Sequence, residues 1–284
     1  MAGNFGGSSS IQPLSVGNVV SAGLRLYRSH FKDYFLLALK ACLWFLVPIY
    51  GWAKCFALIA LISRLAFGEL VNQPESISSG ARFVNSRLWK FLGAMILVGL
   101  IAIGVYLAVV IVFALFIGIF VGFFGARFQQ TSVALNLLIG LITIILGVVA
   151  IVGIIWFLTR FYLVDLPLAI EENVDAASSI SRSWELTQGH VWRIFLIGFV
   201  AFLITLPLQI VLQIMTTILQ LALAPLIQDG SPIFQLLYYV LILPISFSAT
   251  VILLPFWKTI QAVIYYDLRS RREGLGLTLR NHEI

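Results

Sequence analysis

Residues 160–195, RFYLVDLPLAIEENVDAASSISRSWELTQGHVWRIF, form the one long polar interval between apolar blocks in the chain. Pro167 suits the first turn of a helix, and Glu171, Glu172 and Asp175 fall early in it, where the positive end of the helix dipole favours acids. From Asn173 onward Val174, Ala177, Ile180 or Ser181, Trp184 and Val191 recur at helical spacing, opposite Asp175, Arg182 and Glu185. The spacing predicts a helix lying on a membrane surface. Gly189 can close it in a left-handed turn, after which Trp192, Arg193 and Phe195 carry the chain into lipid as an aromatic and basic interface set.

The same arrangement occurs twice upstream. Ser15 is a helix N-cap, followed by Val16, Val19, Val20, Leu24, Tyr27 and Phe31 on one face, with Arg25 and Arg28 off it. Near Pro74 and Glu75 a second surface helix carries Ile77, Ala81, Val84 and Leu88, with Arg82 and Arg87 off its apolar face. When the three copies are aligned, Phe35, Phe91 and Phe195 share a column, as do Ser29, Asn85 and Gly189, and also His30 and His190.

Each surface helix is followed by apolar text long enough for a hairpin. The composition agrees: 61% of residues are hydrophobic, 11% are charged, and the mean hydropathy is +1.02. A soluble domain carries about 25% charge. The expected fold is all-α, a polytopic helical membrane protein with about six transmembrane helices in three hairpins, each preceded by an interfacial amphipathic helix. The expected organisation is a tail at 1–14, a single transmembrane domain at 15–273 with units 15–72, 73–159 and 160–266, and a tail at 274–284. In the first unit the two crossings are short and are interrupted by Lys40, Lys54 and Arg64, so a re-entrant hairpin is the alternative. After Pro255 the last block either continues as a crossing or leaves lipid at Trp257 and Lys258, and Tyr265 and Tyr266 suit the interface in both versions.

The positive-inside rule orients this arrangement. With both termini cytoplasmic, that side holds Arg25, Arg28, Lys32, Arg82, Arg87, Lys90, Arg160, Arg182, Arg193, Arg269, Arg271, Arg272 and Arg280, whereas Lys54 and Arg127 fall on the other.

The chemical inventory is small. The chain has no metalloprotease, P-loop or nucleophile-elbow motif, and its only histidines are His30, His190 and His282. No catalytic residue, metal site or cofactor is expected. Cys42 and Cys55 read as core filler, and Ala114, Gly118 and Gly122 as a packing stripe. Lys40 and Arg64 stand out because cations within apolar blocks need partners. With Asp165 and Asp267 they form a candidate lipid-phosphate pocket, set against plain snorkelling or ion pairing. The candidate interfacial lipid contacts are Arg25, Arg28, Arg82, Arg87, Arg182, Trp192, Arg193, Arg269, Arg271 and Arg272.

SVGNVVSAGLRLYRSHF (15–31), DLPLAIEENVDAASSISRSWELTQGHVWRIF (165–195) and VIYYDLRSRREGLGL (263–277) resemble the membrane domain associated with bacterial glycerophosphoryl diester phosphodiesterases. YGWAKCFALIALISRLAFGELVNQPES (50–76) is similar to stand-alone cyanobacterial members of that group. The resemblance implies a membrane architecture, since the phosphodiesterase activity of fused members belongs to a separate barrel of about 250 residues. No such barrel is expected here, and no functional residue is carried over. The expected role is non-catalytic: an accessory, scaffold or lipid-associated factor at the cytoplasmic leaflet of a bacterial inner membrane, or of a thylakoid membrane if the source is cyanobacterial. Anionic membrane lipids are the expected partners, with a membrane protein or a second copy of the chain beside them and no nucleic acid. A small transporter or channel is the alternative, and an intramembrane enzyme ranks last.

Overall fold

The computed structural model describes residues 14–124, 133–228 and 232–273. The expected tails apart from Leu14, together with Arg127, Arg280 and His282, lie outside the described residues. Every regular element among the described residues is a helix: α1 (Val16–Ser29), α2 (Phe31–Phe45), α3 (Tyr50–Leu70), α4 (Ile77–Asn85), α5 (Leu88–Phe124), α6 (Val133–Arg160), α7 (Asp165–Ile170), α8 (Ala176–Thr187), α9 (Val191–Gln228) and α10 (Pro232–Glu273).

Three short polar-faced helices, α1, α4 and α8, are each started by a side-chain cap. The Ser15 hydroxyl accepts from the Asn18 N–H, the Ser76 hydroxyl from Ser79, and the Asp175 carboxylate from Ser178. Each cap satisfies one of the donors a helix start leaves open. The single surface helix expected between Pro167 and Gly189 is instead two elements. Glu171 ends α7 in extended backbone and Asp175 opens α8 with a capping box, so Glu171 and Glu172 are not first-turn acids. The buried face of α8 also differs from the expected apolar stripe. Ser179, Ser183, Leu186 and Thr187 face the protein, while Ala177 and Trp184 remain exposed.

The apolar core surrounds α3. Twelve of its 21 residues are buried, among them Leu58, Leu61, Ile62 and Leu65, against α2, α4, α5, α7 and the second half of α10. Helix α1 lies across α10, and Gly23 makes that approach possible: a Cβ there would sit 2.6 Å from Ile260 Cγ1. Helix α10 runs unbroken through Pro244 and Pro255, so the chain does not leave the helix at Trp257. Tyr265, expected at the interface, is fully buried and donates to Glu171 at 2.6 Å.

Among the described residues, four helices are long and apolar enough to cross a membrane, over Leu88–Phe116, Gly140–Ile170, Val191–Ala224 and Gln235–Arg272. The number differs from the expected six because of the first hairpin. At 15 residues α2 spans about 22 Å, less than the roughly 30 Å of hydrocarbon, and α3 is enclosed by protein.

Candidate membrane-interface site

The ends of the long helices and the short helices share one polar layer, built largely from cations on backbone carbonyls. At its centre is the C-terminal end of α7. Arg64 donates to the Ala169 carbonyl at 2.5 Å and pairs with Glu75 at 2.6 Å. Arg87 donates to the carbonyls of Leu168 at 3.2 Å and Glu171 at 2.5 Å, and also to that of Glu172. The Phe83 ring lies between the two guanidiniums, 3.9 Å from Arg64 and 4.0 Å from Arg87. Two cations on the negative end of a short helix satisfy carbonyls that would otherwise be open. Burial and the adjacent Arg64 charge hold Arg87 below its usual pKa. Burial pushes the Glu75 carboxyl up, but hydrogen bonds from Arg64 and Ser79 outweigh it and leave the carboxyl below its usual range.

Around this centre the remaining charges are used locally. Lys90 donates to the Val174 carbonyl at 3.1 Å, and Lys54 to Asn85 Oδ1 at 2.8 Å. Arg182 pairs with Glu171 at 3.3 Å and Glu185 at 3.4 Å, and these two carboxylates raise its pKa against the effect of burial. Arg160 lies 4.8 Å from the rings of both Trp156 and Trp184 and donates to the Trp184 carbonyl, while the Ser183 hydroxyl donates to Arg160's own carbonyl. Asp165 accepts from Lys258 at 2.6 Å and from Gln261 at 2.7 Å. Asp267 takes Arg193 and Arg271, each at 3.0 Å, and Arg272 donates to the Gln188 carbonyl at 2.8 Å.

None of the four residues of the expected phosphate pocket pairs with another of the four. Arg64 is held by Glu75, Asp165 by Lys258 and Asp267 by Arg193 and Arg271, while Lys40 is exposed on α2 with no hydrogen bond or ion pair among the described residues. Of the expected interfacial contacts, Arg25, Arg28 and Arg82 are exposed and without an ion-pair partner among the described residues, as is Lys32. Trp192 is exposed and Arg269 half-buried. Arg87, Arg182, Arg193, Arg271 and Arg272 face carbonyls or carboxylates of the protein itself. Sequence reasoning missed Glu75, Phe83, Lys258 and Gln261. Glu75, 11 residues after Arg64 and directly before the Ser76 cap, is the one whose position carried a signal.

Two apolar hollows adjoin the layer. One, of about 540 Å³, lies between α2 and α10 and is lined by Phe35, Leu39, Leu43, Pro244 and Phe247 among others. The other, of about 330 Å³, lies between the end of α6, the start of α9 and Trp257. Both are nearly free of polar lining, which fits hydrocarbon better than a solute.

The family described as Domain of unknown function (DUF7847) matches residues 90–268. The chain belongs to that family. Its matched region covers α6 to α9 entirely and most of α5 and α10, and stops short of Arg64 and Arg87. No curated protein and no solved structure matches the chain.

Proposed function

We propose that this chain is a non-catalytic protein of a bacterial inner membrane, with both termini on the cytoplasmic side, that binds anionic lipid at the cytoplasmic leaflet and serves there as an accessory or scaffold factor. The observation that carries this reading is a division of labour among the charges. The half-buried and buried carboxylates Glu75, Asp165, Glu171 and Asp267 are consumed by internal cations, while Arg25, Arg28, Lys32 and Arg82 remain exposed and unpaired among the described residues. Exposed arginines beside membrane-crossing helices meet phosphate head groups, each contributing about 1 kcal/mol near an anionic surface. The resemblance to the phosphodiesterase-associated membrane domain supports the same role, because the catalytic part of such proteins is a separate unit.

Purification into nanodiscs followed by mass spectrometry of retained lipids and proteins tests the reading. Enrichment of an anionic phospholipid over the bulk extract, reduced in the triple variant Arg25→Ala/Arg28→Ala/Arg82→Ala, is expected. No enrichment, or enrichment the variant leaves unchanged, overturns it. Solute flux through vesicles carrying the protein would instead favour a transporter or channel.

A further inference from the structure

We propose that the hollow between α2 and α10 seats one acyl chain of an anionic phospholipid whose phosphate rests against Lys32. The proposal deepens the proposed function by naming one lipid and its place, and rests on that reading for the charge of the head group.

The hollow is a slot along two helices. Its α2 wall runs from Phe35 to Leu46 and its α10 wall from Val240 to Ile252. These stretches measure about 17 and 18 Å as helix, against roughly 15 Å for the hydrocarbon of one leaflet. Spread over that length, the volume of about 540 Å³ leaves a cross-section of about 30 Å², less than half that of a helix about 10 Å across. One hydrocarbon chain fits, and a partner helix does not. The one hydroxyl in the lining, that of Ser248, donates to the Ile245 carbonyl of its own helix at 2.6 Å, so the walls ask for nothing polar.

One end of the slot meets the polar layer. Ile252 stands about 9 Å along α10 from Lys258, which pairs with Asp165, whereas Val240 is about 27 Å away. Tyr27 joins the near end to the start of α2: it donates to the Ile252 carbonyl at 3.0 Å, and its ring lies 5.4 Å from Phe31 and 6.0 Å from Phe256. Lys32 falls three residues before Phe35 and seven before Leu39, on the stripe that lines the slot and one turn nearer the layer. It is exposed, with no hydrogen bond or ion pair among the described residues, and Asp33 and Lys40 fall off that stripe. A slot left empty forfeits dispersion contacts on one side, so hydrocarbon fills it. The cation at its mouth selects which chain stays, because it holds a phosphate at the depth where an acyl chain begins.

The test is photo-crosslinking of the full-length protein in nanodiscs of a zwitterionic phospholipid. The probe is a small fraction of phosphatidylglycerol with a diazirine midway along one acyl chain, and adducts are mapped by mass spectrometry. Adducts are expected to concentrate on residues 35–46 and 240–252 over the outward face of α6 at Ile144 and Val148, both exposed. Lys32→Gln should lower this labelling about fivefold. Leu43→Trp, which fills the slot from an exposed position, should largely remove it, with Leu39→Trp as the second variant if the first fails to accumulate. Adducts spread evenly over α2, α6 and α10 show boundary lipid only and overturn the proposal. Concentrated adducts that neither Lys32→Gln nor the tryptophan variants reduce overturn it as well, since the chain is then not held in this slot. Even labelling with the anionic enrichment of the wild type intact removes the seat alone, whereas even labelling without enrichment removes the proposed function with it.

Discussion

Helices α3 and α6 are both mostly apolar, yet they meet opposite fates. Helix α3 carries Lys54, Arg64 and Glu69 and yet has 12 of its 21 residues buried, whereas the most apolar window of α6 has no buried residue. The difference shows that hydropathy reports which solvent a helix tolerates and not where the core lies. A helix that is uniformly apolar gains little by leaving lipid for protein, since lipid tails are as apolar as leucine. A helix interrupted by charge can be enclosed only where partners await those charges. Here the partners are Asn85, Glu75, the Ala169 carbonyl and His30.

The contrast can be broken most directly at Asp165. Asp165→Ala removes the carboxylate that Lys258 and Gln261 share and leaves the Lys258 ammonium with the neutral Gln261 amide oxygen in place of its counter-ion. A loss of about 3 kcal/mol is expected on thermal unfolding in detergent, in line with stranding one member of a buried pair. Ile144→Ala, on the outward face of α6, should change the same measurement by less than about 0.5 kcal/mol. Equal losses at the two positions would erase the distinction.

Gly23→Val comes next. Its side chain would be driven into Ile260, and forcing α1 off α10 should cost about 2 kcal/mol, read as a lowered melting temperature that Gly17→Val does not share because Gly17 faces open space. The Arg64–Glu75 pair sharpens the comparison through pH. Because the folded carboxyl titrates below the ordinary glutamate value of about 4.3, its stabilisation is complete above that pH and is lost as pH falls through the lowered folded value. Glu75→Gln should remove about 1 kcal/mol at neutral pH and flatten the acid limb of a stability profile. Smallest in stability, within about 0.5 kcal/mol, are Arg25→Ala and Arg28→Ala. Each should nonetheless weaken cosedimentation with anionic vesicles about fivefold at low salt, and the effect should shrink as salt rises.

Much of the fold was legible in the sequence because caps and amphipathic spacing are local signals. Ser15 opens α1, and the polar text before each long apolar block does contain short helices. The helix that Pro167 and Asp175 were expected to share is broken because Asp175 serves better as a cap than as a first-turn acid, an ambiguity that spacing alone does not resolve. The site was less legible for a physical reason. Arg64, Arg87, Lys90, Arg160 and Arg272 all donate to backbone carbonyls, and a carbonyl acceptor has no residue type to recognise. Lys40 and Arg64 looked equivalent as cations in apolar text. The connection from α3 into α4 separates them, giving Arg64 the Glu75 carboxylate while Lys40 stays exposed without an ion pair among the described residues.

The position of α3 also bears on how the protein is made. Its neighbours are late in the chain: the Ser63 hydroxyl donates to the Lys258 carbonyl, and Phe67 stacks edge-on against Tyr265. At roughly 5–20 residues per second, about 10–40 s of synthesis separate Ser63 from Lys258. For most of that interval the side-chain partners of the α3 charges, His30, Glu75 and Asn85, are already in the chain, and what α3 still lacks is the late helix that Ser63 and Phe67 pack against.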